Sequence, residues 1–345
     1  MDLDLIDPEM RRAARIMPAP PVHHRWTLPV MRWLTKIGTR HKLSSGVTVE
    51  VRPVGAASVH IYRPPVRTSD GAVLWIHGGG FVIGAASIDD VRCSRYALEF
   101  GVTVVSVDYR LAPEHPFPAP LDDCFAGWTW VQERADGLGV DPHRIVVGGE
   151  SAGGGLAATL VQRIHDTGGP QPAAQLLVYP MLDDRTAART ELDAVKHRLW
   201  NNRANRAGWT AYLGHEPGGP GAGEDGTGHD GTAKPGTAKP GTGESVGGRI
   251  AEYAVGARRS DLAGLPPAWI GVGEVDLFHD EDRDYAERLV AAGVPCELVV
   301  VPGAPHGFVS TASKATATVD FERRIDEFLR TCLSRVPDAN SNPSS

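Results

Sequence analysis

The chain has 345 residues, of which 41% are hydrophobic and 22% charged. That supplies apolar side chains for a sizeable core, excludes disorder throughout, and suits one large α/β domain carrying insertions. Forty-two acidic residues against 35 Lys plus Arg give a formal net charge of −7, a balance that offers no electrostatic reason to take nucleic acid or an anionic membrane as partner.

The first twenty residues, MDLDLIDPEMRRAARIMPAP, place acids where a secretory signal needs basic residues and contain no apolar run of export length. No later stretch reaches the roughly 18 apolar residues of a membrane helix. Met10, Ala14 and Ile16, then Leu28, Met31 and Leu34, fall at loosely helical spacing, so residues 1–42 read as an N-terminal cap segment. Val47–Arg52 and Ser58–Arg63 alternate apolar and polar residues close together, which predicts an antiparallel edge pair. Val73–His77, Thr103–Asp108, Arg144–Gly148, Gln175–Tyr179, Ala268–Gly273 and Cys296–Val301 are nearly continuous in apolar residues, as parallel strands buried on both faces are. Helical patterns over Asp89–Phe100, Ala119–Ala135, Ala152–Asp166, Asp280–Ala292 and Ser313–Ser334 separate them. The alternation predicts an α/β fold, a mostly parallel eight-stranded sheet with helices on both faces.

Asp183–Leu213, with Trp200, Trp209 and Tyr212, breaks the alternation and reads as a second, helical cap segment over residues 183–214. Between Pro217 and Gly248, 16 of 32 residues are Gly or Pro, and Gly-Thr-Ala-Lys-Pro repeats from Gly231 to Pro240. With so little apolar surface to offset ordering entropy, residues 215–250 are expected to be a disordered insertion, as is the tail 336–345. The core then consists of residues 43–182 and 251–335. Cys93, Cys124, Cys296 and Cys332 form no CxxC pair, which argues against a zinc site or a disulfide framework and predicts buried free thiols. The expectation is a soluble, cytoplasmic protein.

The strand Arg144–Gly148 runs into Gly149-Glu150-Ser151-Ala152-Gly153, and a helical pattern follows at once. This is G-x-S-x-G in its meaningful context, a strand turning sharply into a helix with a serine at the apex. The chain can pass only if side chains two residues either way are missing, hence Gly149 and Gly153. The helix N-terminus beneath Ser151 adds positive potential where negative charge forms. The strand Val73–His77 leads into Gly78-Gly79-Gly80-Phe81. Serine acylation needs preorganised N–H donors, and consecutive glycines let the backbone approach a developing oxyanion. The N–H groups of Gly79, Gly80 and Ala152 are the expected oxyanion hole, with His77 and Gly78 shaping the loop.

A base and an orienting acid should follow in the order Ser, Asp or Glu, His. His306 lies in the tight loop Pro302–Phe308 after the last strand; His279 opens an acidic helix and reads as a solvated first-turn residue. For the acid, Asp276 is preferred over Glu274 because it lies further along the turn toward the His306 loop. Asp280, Asp282 and Asp284 read as acids favoured by a helix N-terminus. Phe81, Trp209 and Phe308 are candidate walls of an apolar acyl pocket.

His77–Phe81, Asp108–Pro118 (DYRLAPEHPFP), Gly149–Gly153, Asp276 and His306 occur in this order. Together they resemble the hormone-sensitive-lipase-like branch of the α/β-hydrolases, the bacterial family IV esterases, from about Arg40 to Arg330. Glu150 stands where many relatives have Asp. The resemblance implies an α/β-hydrolase fold with a helical cap and a triad of Ser151, Asp276 and His306. It also implies hydrolysis of small carboxylic esters through an acyl-enzyme, with no metal and no organic cofactor. Asp108 and Glu114 read as scaffolding for the oxyanion loop, and His77 as a pin for it rather than a base. An amidase or formamidase would use the same triad. A non-catalytic receptor is the rival from another class, but receptors resembling this family lack the histidine. The oligomeric state, a homodimer included, is left open.

Overall fold

The structure, a computed structural model, describes residues 1–17, 19–38, 43–219 and 251–334. The expected insertion from residue 220 to 250 and the expected tail lie outside the described residues. The strands are β1 (Thr48–Val54), β2 (Ala57–Arg63), β3 (Ala72–Ile76), β4 (Thr103–Asp108), β5 (Ile145–Glu150), β6 (Ala174–Val178), β7 (Ala268–Gly273) and β8 (Cys296–Val301). They form one eight-stranded sheet in the order β1-β2-β4-β3-β5-β6-β7-β8. β2 runs antiparallel to both β1 and β4, and every pairing from β4 to β8 is parallel.

The helices are α1 (Arg11–Ile16), α2 (Leu28–Gly38), α3 (Asp90–Phe100), α4 (Ala119–Glu133), α5 (Ala135–Leu138), α6 (Ala152–Thr167), α7 (Asp184–Ala188), α8 (Asn202–Leu213), α9 (His279–Ala291), α10 (Phe308–Thr311) and α11 (Thr316–Ser334). The helix expected over Ser313–Ser334 starts later, at Thr316, behind the separate turn α10. α3 ends where Gly101 takes φ 61°, a left-handed cap. α8 begins on Asn201, whose side chain accepts from Ala204 N at 2.9 Å. Among the described residues, no helix is long and apolar enough to cross a membrane.

Strand alternation divides the core in two. Leu74, Ile76, Val105, Val147, Leu177 and Ile270 face a layer that includes Leu121 of α4, Leu156 and Leu160 of α6, and Leu289 of α9. Val73, Trp75, Val104, Val146, Leu176, Val178 and Trp269 face Tyr96 of α3 and Phe321, Ile325 and Leu329 of α11. β3 and β5 are therefore buried on both sides, which makes their C-terminal ends rigid platforms for the loops that follow. Cys93 and Cys124 are buried, whereas Cys296 and Cys332 are only partly so, which corrects the expectation of four buried thiols. Cys296 opens β8, the last strand of the sheet, and Cys332 lies in the last turn of α11.

The N-terminal segment docks on both sides of the sheet's C-terminal edge. Ile6, Met10 and Ala14 join the α11 layer, and Asp7 N donates to Gly303 O at 3.0 Å. Val22 and Leu28 join the opposite layer, together with Trp209 and Tyr212 of α8.

Leu74 is fully buried and Val51 is 54% exposed on the outer strand β1. Leu74→Ala is expected to cost about 2–5 kcal/mol in a urea unfolding titration, and Val51→Ala less than about 0.5 kcal/mol.

Candidate active site

Ser151 sits at the junction of β5 and α6 with φ 55° and ψ −123°, a conformation that costs a residue with a Cβ on the order of 1–3 kcal/mol. The surroundings hold it there. Ser151 N donates to Val178 O, and Met181 N donates to Ser151 O, each at 2.9 Å. The flanking glycines are dictated by space. A Cβ on Gly149 would lie 2.4 Å from Gly153 O, and one on Gly153 would lie 2.1 Å from Ile76 O.

Ser151 Oγ lies 3.0 Å from His306 Nε2, and His306 Nδ1 lies 2.9 Å from Asp276 Oδ2. Because Nδ1 faces a carboxylate, it carries the proton, which leaves Nε2 free to accept from the serine hydroxyl. Asp276 is held in turn by Phe278 N, which donates to its Oδ1 at 3.0 Å. The imidazole is clamped edgewise by Tyr179 and Phe278, with ring centroids 4.9 and 5.0 Å away. Ser151, Asp276 and His306 are 7%, 5% and 8% exposed, so the line of hydrogen bonds is almost dry. Glu274 faces elsewhere: it is exposed and accepts from Gly303 N at 2.9 Å, bracing the base of the His306 loop.

The loop after β3 closes over the same point. Gly79 takes φ 118°, and a Cβ there would lie 2.0 Å from Ile83 O. The N–H groups of Gly79, Gly80 and Ala152 meet no acceptor among the described residues. His77 is fully buried, and its Nδ1 donates to Gly78 O at 2.8 Å. Its ring stacks on Tyr109 at 4.2 Å, and burial lowers its pKa, which favours a neutral ring that pins the loop. Asp108 Oδ1 accepts from Ala86 N at 2.9 Å. Arg32 of α2 donates to Val82 O, to Ala112 O and to Glu114 Oε2, at 2.8, 2.7 and 2.8 Å. Arg32 thus ties the oxyanion loop to the Asp108–Pro118 stretch, and the hydrogen bond it makes to Glu114 lowers that carboxyl's pKa. Nothing local in the sequence marks Arg32, because its partners lie 50 to 82 residues away.

Other expectations change. Phe81, Trp209 and Phe308 are each 1% exposed or less. Phe81 stacks on Tyr212 at 4.2 Å and tilts against Trp209 at 5.1 Å, which fastens the oxyanion loop to α8. Phe308 packs edge-on against Phe321 at 4.9 Å, beneath the His306 turn. Packing takes up the carbon surface of all three rings, so none of them offers an open apolar wall. Asp282, read from sequence as an acid favoured by the start of α9, is fully buried. Burial, with Glu281 and Asp276 nearby, pushes its carboxyl well above the ordinary range. Its neighbour Glu281, which sequence reasoning missed, accepts from the N–H groups of Leu182 and Asp183 at 2.8 and 3.1 Å. It thereby anchors the start of the 183–214 segment to α9.

A strained serine after a central strand, an imidazole and carboxylate in line, and a glycine loop with free N–H groups together define an α/β-hydrolase of the acyl-transfer type. The family profile described as the alpha/beta hydrolase fold matches residues 73–220 and 244–310. Carboxylesterase NlhH of Mycobacterium tuberculosis is 36% identical over 293 residues, covering 83% of each chain. Esterase LipI of the same species is 35% identical over 279 residues, 79% of this chain and 77% of its own. The crystal structure of esterase LipW from Mycobacterium marinum superposes with a TM-score of 0.78 at 34% identity, covering 96% of this chain and 98% of that one. The chain belongs to the α/β-hydrolases, in their hormone-sensitive-lipase-like branch, and is a carboxylic ester hydrolase.

Because Arg32 reaches the oxyanion loop only through Val82 and its neighbours, Arg32→Met is expected to lower kcat for a p-nitrophenyl ester, by up to about 10²-fold. Its melting temperature should shift far less than that of Leu74→Ala. Unchanged kcat would show that the loop holds its shape without this tie.

Proposed function

We propose that the enzyme hydrolyses short- to medium-chain carboxylic esters with Ser151 as nucleophile, His306 as general base and acid, and Asp276 as the group that orients and stabilises the imidazolium. The observation that carries this reading is the unbroken line from Ser151 Oγ through both ring nitrogens of His306 to Asp276. As Oγ attacks the carbonyl carbon, its proton passes to Nε2, and the carbonyl oxygen gathers charge toward the N–H groups of Gly79, Gly80 and Ala152. Nε2 then hands the proton to the departing alcohol. Water, deprotonated by the same nitrogen, attacks the acyl-enzyme and returns the acid and free Ser151. No step calls for a metal or an organic cofactor.

We further assign residues 1–42 and 183–214 as the cap over the sheet's C-terminal edge. The contacts of Arg32 with the oxyanion loop and of Phe81 with α8 support that division. The buried free thiols of Cys93 and Cys124 favour a reducing, cytoplasmic compartment.

Ser151→Ala is expected to fold with an unchanged melting temperature and to lose on the order of 10⁴–10⁶ in ester turnover. Turnover matching the wild type, with contaminating esterase excluded by active-site titration, would sink the mechanism.

The two carboxylates on the β7 turn separate cleanly. Asp276→Asn keeps the shape but favours the wrong imidazole tautomer, for a loss of roughly 10⁴-fold in kcat. Glu274→Gln keeps an oxygen for Gly303 N and should stay within about tenfold of wild type. The reverse order would assign the acid to Glu274.

A further inference from the structure

The underside of α8 carries polar atoms that nothing among the described residues satisfies. Asn205, Gly208, Trp209 and Tyr212 occupy positions i, i+3, i+4 and i+7 of one helical face, and all four are buried. Two close approaches show what that face covers. A Cβ on Gly208 would lie 2.8 Å from Gly80 O, and one on Gly80 would lie 2.1 Å from the indole ring of Trp200. The face is pressed against the oxyanion loop, less than one helical turn from Asn205.

Asn205 is fully buried, and among the described residues neither its Oδ1 nor its Nδ2 has a hydrogen-bond partner. The indole Nε1 groups of Trp209, on that face, and of Trp200, whose ring lies against Gly80 and Gly208, are also unpartnered among the described residues. Neighbouring asparagines are employed. Asn201 caps the helix, and Asn202 Nδ2 donates to Arg189 O at 2.9 Å and Asp193 Oδ1 at 3.1 Å. A buried amide with nothing to bond is costly, and a leucine would suit both the helix and the burial better. The residue type makes sense where a ligand supplies the missing partner.

We propose that Asn205, with the indole N–H groups of Trp200 and Trp209, hydrogen-bonds an oxygen in the chain of the bound ester, so that hydroxy-, alkoxy- or oxo-substituted esters are preferred over plain alkyl ones. The proposal rests on the reading of Ser151 as nucleophile. An amide and two indoles offer mostly donors, which match an ether or carbonyl oxygen, and the amide oxygen can take a hydroxyl proton. Discrimination of this kind is sharp because the analogue lacking the oxygen leaves the buried donors unpaired.

The test compares kcat/KM within two pairs of esters that differ only by an oxygen in place of a methylene. One pair is p-nitrophenyl methoxyacetate and butyrate; the other is 2-methoxyethyl acetate and n-butyl acetate. Intrinsic reactivity differs within a pair but cancels when the wild-type ratio is divided by that of Asn205→Leu. The expected quotient is roughly tenfold in favour of the oxygen-bearing ester in at least one pair. Asn205→Ala serves as a second variant if leucine is too large. Quotients within about twofold of unity in both pairs, for both variants, overturn the proposal. Asn205→Leu removes an unpaired amide, so its melting temperature should hold or rise. A fall of more than about 5 °C would mean that the amide has a structural partner, and would also overturn it. Only turnover that Ser151→Ala abolishes enters the ratios, so a failure of the triad reading registers separately.

Discussion

The backbone of Ser151 is held in a conformation that a residue with a side chain avoids, and most of the molecule's architecture serves to keep it there. β5 delivers the chain to the turn from the middle of the sheet, with β3 on one side and β6 on the other. α6 takes it away at once, which is possible only because residues 149 and 153 lack a Cβ that would strike a carbonyl. Strain of this size is a noticeable part of the marginal stability of a folded domain, so it persists only where neighbours over-determine it. Those neighbours are the bonds to Val178 and from Met181, which tie the turn to β6 and the chain beyond it.

Around that fixed point two loops converge, each held by groups distant in sequence. The His306 loop is braced by Glu274 from the β7 turn and by Asp7 from the N-terminal segment. The oxyanion loop is gripped by Arg32 from α2 on one side and by the aromatic stack of Phe81, Trp209 and Tyr212 on the other. The N-terminal segment therefore touches both halves of the site.

The local part of this arrangement is legible in the sequence. All eight strands fall within a few residues of their expected places, the outer pair through its alternation of apolar and polar residues and the inner ones because a strand buried on both faces leaves a continuous hydrophobic signature. The glycines at positions 79, 149 and 153 are readable because they stand in compact motifs; Gly79 and Gly149 answer residues close by in the chain, whereas Gly153 answers Ile76 across the sheet. What the sequence conceals is the packing of the cap. Phe81 and Trp209 look like pocket walls until the stack with Tyr212 shows them joining a loop to a helix. Asp282 looks like an acid favoured by a helix N-terminus, yet α9 turns it inward, and periodicity alone does not reveal which face of an acidic helix is covered. Arg32 and Asn205 carry no motif at all; they stand out only through what they meet, or fail to meet, in three dimensions.

The central claim is that Ser151 is the nucleophile, and covalent trapping tests it most directly. An alkyl p-nitrophenyl phosphonate mimics the tetrahedral intermediate and stays on the oxygen that attacks it. The account predicts release of one p-nitrophenol per chain, an intact-mass increase equal to one phosphonyl group, and fragment ions that place the group on Ser151. Labelling of a different residue, or no stoichiometric burst from protein that hydrolyses esters, would contradict it.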